Sequence, residues 1–147
     1  MNGRLCIDTN LLVLLVIGRL RPDLVGRHRR LRAYDARDLA ALEGVLRDRD
    51  AIVLEAVLAE TSNLVGTGLD GAMTGLAAFV RKTEIVRVEP HEVARQAMFA
   101  RFGYTDTALA MVSGRGAAIL TDDRPLAGRL ASRDLPVINF NTLRTGR

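Results

Sequence analysis

Apolar residues come in short blocks along the chain, each closed by a polar, glycine or proline signal. Leu5-Cys6-Ile7 is a brief apolar run that predicts a buried first strand. Asp8-Thr9-Asn10 follows as a capping cluster, and Leu11 to Arg19 reads as a helix. Pro22 and Gly26 mark an irregular stretch, after which helical spacing runs from about Arg37 to Arg47. Ile52-Val53-Leu54 is short and extended, Glu55 to Val65 is helical, and Gly66-Thr67-Gly68 is a break. Helix resumes from about Asp70 to Arg81, and the alternation of Glu84 to Val88 suits a strand. Pro90 begins a helix reaching about Arg101, Gly103 interrupts it, and Thr105 can cap the next helix, to Ser113. Ala117 to Leu120 is a strand, Asp123 to Ala131 a helix opened by Pro125, and Pro136 to Phe140 a last strand.

Strands alternating with helices predict an α/β fold in which helices flank a parallel sheet as an α/β/α sandwich. No repeat or long linker divides the chain, so residues 1–147 are expected to form a single domain with an arginine-rich irregular segment over about 20–36. The longest apolar run, Leu11 to Ile17, is far short of the roughly 20 residues of a membrane span. Asp8 and Asn10 break any signal-peptide core, so a cytoplasmic protein without a membrane partner is expected. Cys6, the single cysteine, excludes internal disulfides and thiolate zinc clusters and fits a reducing compartment.

Charge changes the picture. The chain carries 21 basic and 17 acidic residues, a formal +4 with a pI near 10.2, and every basic residue except Lys82 is arginine. Guanidinium groups suit phosphate contact, although a biased genome composition gives the same excess. The densest supply is Arg27, Arg29, Arg30 and Arg32, with His28 and Tyr34 among them. This segment reads either as an RNA-binding arm, with the tyrosine free to stack a base, or as a solvated loop. His28 and His91 are each expected at the surface.

The acidic residues raise a sharper question. Asp8 closes the first strand, and Asp122 and Asp123 close the strand after Ala117, where open parallel sheets place their ligand sites. Val53, Val57, Glu60 and Leu64 share helical spacing, which puts Glu60 in a buried stripe; Asp106 has Leu109, Ala110 and Ser113 at similar intervals. Buried carboxylates are costly and repel one another. The segments around Glu60 and Asp106 carry no arginine to neutralise them. A divalent cation would do so, and an all-oxygen set favours Mg²⁺ or Mn²⁺ over zinc. Each aspartate also has a plainer reading as a helix cap or first-turn acid. In mid-helix, Glu60 has no such reading.

Taken in order, four stretches resemble the PIN-domain ribonucleases, the family that includes VapC-type toxins. They are Cys6-Ile7-Asp8-Thr9-Asn10-Leu11, Leu58-Ala59-Glu60-Thr61-Ser62-Asn63-Leu64, Gly103-Tyr104-Thr105-Asp106-Thr107-Ala108-Leu109 and Leu120-Thr121-Asp122-Asp123-Arg124-Pro125-Leu126. Leu135 to Phe140 is similar to that family's last strand. The resemblance implies a catalytic and metal-binding quartet of Asp8, Glu60, Asp106 and Asp123, with Asp122 as an auxiliary ligand. Asp123 is set over Asp122 because the family's last motif often reads Thr-x-Asp. Asn10 and Thr121 fall where the family places polar supports. The long stretch from Leu20 to Ala36 departs from the family pattern.

The implied chemistry is Mg²⁺- or Mn²⁺-dependent endoribonuclease cleavage that leaves 5′-phosphate and 3′-hydroxyl ends, with the chain as the toxin of a toxin–antitoxin pair. An unliganded carboxylate would accept the water's proton. A small antitoxin and a homodimer follow from the same resemblance; Met73, Met98, Phe99, Leu109 and Met111 could form an apolar face for either, or simply fill the core. One alternative is a non-catalytic PIN-like module that binds nucleic acid or a partner. Another is a haloacid-dehalogenase-like phosphatase, against which stand Asn10, where a second aspartate is needed, and the lone Lys82.

Overall fold

The middle strand of the sheet is β1 (Arg4–Ile7), and the other elements are arranged around it. The structure is a computed structural model and describes residues 3–66 and 68–144; Thr67 of the expected break lies outside them. From β1 the chain runs through α1 (Thr9–Leu20), α2 (Ala36–Arg47), β2 (Asp50–Leu54), α3 (Glu55–Val65), α4 (Ala72–Arg81) and β3 (Glu84–Val86). It continues through α5 (Pro90–Arg95), α6 (Phe99–Gly114), β4 (Ala118–Thr121), α7 (Arg124–Ser132) and β5 (Val137–Asn139).

The five strands are parallel in the order β3-β2-β1-β4-β5, with Cys6 level with Ile52 on one side and Ile119 on the other. The chain therefore builds outward through β2 and β3, then returns past β1 to lay down β4 and β5. That reversal opens a crevice beyond the carboxyl ends of β1 and β4. The expected α/β class and the parallel sheet flanked by helices are both present. The helices form two packed groups, α1 with α2, α3 and α4, and α6 with α5 and α7.

Burial explains the element types. In α1, Thr9 and every residue from Leu11 to Gly18 are buried, so this apolar run is a helix enclosed by neighbours. β1 is buried from Leu5 to Ile7, as a central parallel strand should be. Burial in a dry setting pushes the Cys6 thiol up to about 12, which leaves it inert. Met98, Phe99 and Met111 pack against this core and Leu109 lies inside it, so of the suggested apolar face only Met73 is exposed. No helix among the described residues is long and apolar enough to cross a membrane.

One departure from expectation has a local cause, and the break expected at Gly103 is a bend within one helix. The helix opened by Pro90 stops at Arg95, where the Gln96 side-chain amide donates to the Glu92 carbonyl and replaces the next backbone turn. After it, α6 bends at Gly103, whose φ of 80° and ψ of −175° only glycine adopts freely. The bend places Thr105 and Asp106 at the start of a new helical run. Thr107 closes it by donating its hydroxyl to the Gly103 carbonyl at 2.6 Å.

The arginine-rich stretch is fastened at both ends. A 3-10 turn at Pro22–Leu24 leads into Gly26, whose φ of 89° and close approach to the Tyr34 carbonyl exclude a side chain. Leu31 and Tyr34 are buried, and Arg27, Arg29, Arg30 and Arg32 are exposed. Asp38, fully buried, receives Arg144 at 2.9 and 3.1 Å, and the same guanidinium lies 5.3 Å from the Tyr34 ring centroid. His28 is half-buried; burial first, then Arg29 and Arg30, hold its pKa below the usual histidine value. His91 is exposed beside Glu89.

Candidate active site at the carboxyl end of the sheet

Asp8 leaves β1 at the crevice and does two jobs. Its backbone continues the ladder to Leu120 at 2.9 Å, and its side chain caps α1 through the Thr9 amide at 2.8 Å. The other carboxyl oxygen accepts the Thr121 hydroxyl from β4 at 2.6 Å. Burial raises the Asp8 pKa to about 6 against the pull of these two hydrogen bonds, and the charges of Asp106 and Asp122 push it further the same way. Three sequence-distant aspartates thus share one electrostatic neighbourhood.

Thr121 also accepts the Asp123 amide at 3.0 Å, so one buried hydroxyl links the ends of β1 and α7. The Asp123 side chain caps α7 through the Leu126 amide at 2.9 Å and is exposed. Asp122 is half-buried. It accepts Asn10 Nδ2 at 3.4 Å and the Tyr34 hydroxyl, and its carbonyl takes Asn141 Nδ2 at 2.8 Å. Thr121 thus holds the Asp8 carboxyl and Asn10 contacts that of Asp122. Asp122 is coupled to Asp8 and Asp123 to Asp106, which keeps both in the neighbourhood.

Glu60 corrects the reading of a buried stripe. It is exposed, and the buried face of α3 is Val57, Thr61 and Val65. Val53 belongs to β2, so the helical spacing that placed Glu60 inside crossed a strand–helix junction where it has no meaning. Two hydroxyls address Glu60 instead: Thr9 at 3.0 Å and Thr105 at 2.5 Å. Thr105, expected as a cap, is a tether between α6 and α3.

Asp106 corrects a second expectation. Its neutralising arginine comes from α7, where Arg129 Nη2 donates to Asp106 Oδ2 at 2.6 Å. Burial nevertheless raises the Asp106 pKa against Arg129, with Asp123 and Glu60 adding repulsion. Among the described residues, no three acidic, histidine or cysteine side chains stand close enough to hold one metal ion. The partners of the Asp8 carboxyl are the Thr9 amide and the Thr121 hydroxyl, so the residues as placed do not make a closed ligand set for a metal ion.

Three residues of this neighbourhood, Thr9, Thr105 and Arg129, have no site role in the sequence reading, and Tyr34 has a different one there. Tyr34 is no stacking platform, since it is buried with its hydroxyl on Asp122, and burial first, then that contact, raise its pKa. The exposed Arg27, Arg29, Arg30 and Arg32 make no ion pair among the described residues. The Tyr34 anchor fixes their segment to the same crevice. Glu55, Ala59, Arg87 and Tyr104 line a pocket of about 200 Å³ that Asp8, Glu60, Asp106, Asp122 and Asp123 do not enter. No protein-family model matches the chain, and no curated protein matches it.

Proposed function

We propose that the chain is a divalent-metal-dependent endoribonuclease of the PIN-domain kind, acting in the cytoplasm as the toxin of a toxin–antitoxin pair. The observation that carries this reading is the burial of Asp8 at the carboxyl end of β1 within electrostatic reach of Asp106 and Asp122, where burial and like charge both oppose its ionisation. A carboxylate placed at such cost at a topological switch point is characteristic of functional sites. The reading calls for Mg²⁺ or Mn²⁺, which when bound would lower the pKa of a water and offset charge as the phosphodiester breaks; Asp8, Asp106, Asp122 and Asp123 would have to draw closer together than they stand to hold it.

The chain's own residues supply the rest. Thr121 fixes the rotamer of Asp8, and Thr9 and Thr105 fix that of Glu60. Glu60, open to solvent, accepts the proton of the attacking water. Arg27, Arg29, Arg30 and Arg32 hold the RNA backbone. A small antitoxin and a second copy of the chain complete the expected assembly.

A second reading, a PIN-like module that binds RNA without cutting it, is favoured by the Arg129–Asp106 pair, which occupies one of the acids. Incubation of the purified protein with structured and unstructured RNAs separates the two. Cleavage that requires Mn²⁺, stops with EDTA and is lost in Asp8→Ala supports the nuclease. Binding without metal-dependent cleavage supports the module.

A further inference from the structure

Tyr104 is 37% exposed, and among the described residues no other aromatic ring stands open to solvent. It follows the bend at Gly103 and lines the pocket of about 200 Å³ together with Glu55, Ala59 and Arg87. Leu54 and Val88, both buried, also line it, so the pocket lies beyond the carboxyl ends of β2 and β3, on the edge of the sheet that carries Asp8. Glu55 and Arg87 form an exposed ion pair at 2.7 Å. The volume is below the roughly 300 Å³ at which sites for drug-sized molecules begin, which suits one flat ring system and not a folded chain. The pocket is joined to the crevice twice. Ala59 precedes Glu60 and Tyr104 precedes Thr105, and the Thr105 hydroxyl meets the Glu60 carboxylate at 2.5 Å.

We propose that this pocket is a nucleobase subsite for single-stranded RNA, with Tyr104 as the stacking ring and the Glu55–Arg87 pair at the base edge. This rests on RNA as the partner, which both readings above share, and it needs no metal ion. Single-stranded RNA is recognised where its bases turn outward and stack on aromatic rings. Tyr104 offers such a face, whereas Tyr34 is buried. Leu54, Ala56 and Val88 add an apolar lining, against which a base gains by leaving water. The ion pair supplies what the edge needs: a guanidinium donates in its plane and a carboxylate accepts, so amino and carbonyl groups both find a partner. From the pocket the chain passes through Thr105 to Glu60 and Asp106, so a seated base sets the neighbouring phosphodiester at the acidic crevice.

Fluorescence anisotropy of a short labelled oligouridylate, in EDTA and across a salt series, tests this in the wild type, Tyr104→Ala and Tyr104→Phe. Tyr104→Ala is expected to bind roughly tenfold more weakly, a usual size for one base–aromatic stack. Its salt slope stays that of the wild type, because no charge is lost. Tyr104→Phe keeps the ring and binds as the wild type does. An abasic sugar-phosphate chain of the same length binds the wild type and Tyr104→Ala alike. Glu55→Gln, which replaces an acceptor by an amide, changes the ratio of affinities for oligocytidylate and oligouridylate. Equal binding of oligouridylate by the wild type and Tyr104→Ala, or an equal loss on the abasic chain, overturns the subsite and leaves the RNA reading standing. A loss in Tyr104→Phe as large as in Tyr104→Ala overturns the stack. An unchanged base ratio in Glu55→Gln overturns the edge contact alone. A wild type that binds no oligonucleotide at low salt removes the RNA reading, and the subsite falls with it.

Discussion

Thr121 donates its hydroxyl to Asp8 at 2.6 Å across the two central strands, and the same oxygen accepts the Asp123 amide. One buried group thereby sets the geometry of two carboxylate-bearing turns. Thr121→Val keeps the shape and removes both contacts. It is expected to raise the Asp8 pKa further and to cost about 1–2 kcal/mol at pH 7.5. The cost should shrink near pH 4.5, where Asp8 is protonated. Urea unfolding at the two pH values measures it, and an equal cost at both would show that the hydroxyl does not serve the charged form.

The raised Asp8 pKa gives stability a definite pH dependence. Between about pH 4 and pH 6 the folded chain holds a proton that the unfolded chain releases, so this group's contribution to stability falls as pH rises through that window. Asp106 acts in the same direction. Asp8→Asn retains a good helix cap and removes the penalty. The variant should be more stable than the wild type by about 1–3 kcal/mol at pH 7.5 and similar to it near pH 4. Denaturant midpoints across this range decide the matter; a gain that does not vary with pH would contradict it.

Tyr34 ties the arginine-rich segment to Asp122 through its hydroxyl. Tyr34→Phe is expected to cost about 1 kcal/mol and to loosen the segment locally. Trypsin should then cut faster after Arg27, Arg29, Arg30 and Arg32, with cleavage elsewhere unchanged. Wild-type cleavage rates in the variant would mean that Leu31 and the Arg144 stack suffice to hold it.

Replacing Arg27, Arg29, Arg30 and Arg32 by glutamine should leave folding unchanged, because all four are exposed. If they hold RNA, affinity falls. The slope of log affinity against log salt also flattens, by about 0.7 for each arginine that meets a phosphate of a single strand. A binding assay at four salt concentrations reads both effects. An unaltered slope would locate the RNA elsewhere.

The order of elements was legible because burial leaves a local trace: three apolar residues closed by Asp8, a capping Asp123 ahead of Pro125, a glycine at the bend of α6. Thr121 and Asn10 stand out in the sequence because they sit beside acidic motifs at the ends of strands. The contacts of Tyr34, Arg129, Thr9 and Thr105 do not, since their partners lie 88, 23, 51 and 45 residues away. No periodicity encodes such pairings. Glu60 was misplaced for a different reason, because a helical spacing was carried back through Val53 into a strand.

The place of β1 at the centre of the sheet has a consequence for synthesis. β1 is synthesised before both of its neighbours, and it pairs on one side with residues near 50 and on the other with residues near 120. Until translation has passed Asp123, Asp8 lacks Thr121 and the flank that β4 provides, so a nascent chain carries the first acid of the crevice without a crevice. Asp8 and the turn that carries Asp122 and Asp123 therefore come together only after β4 has been made.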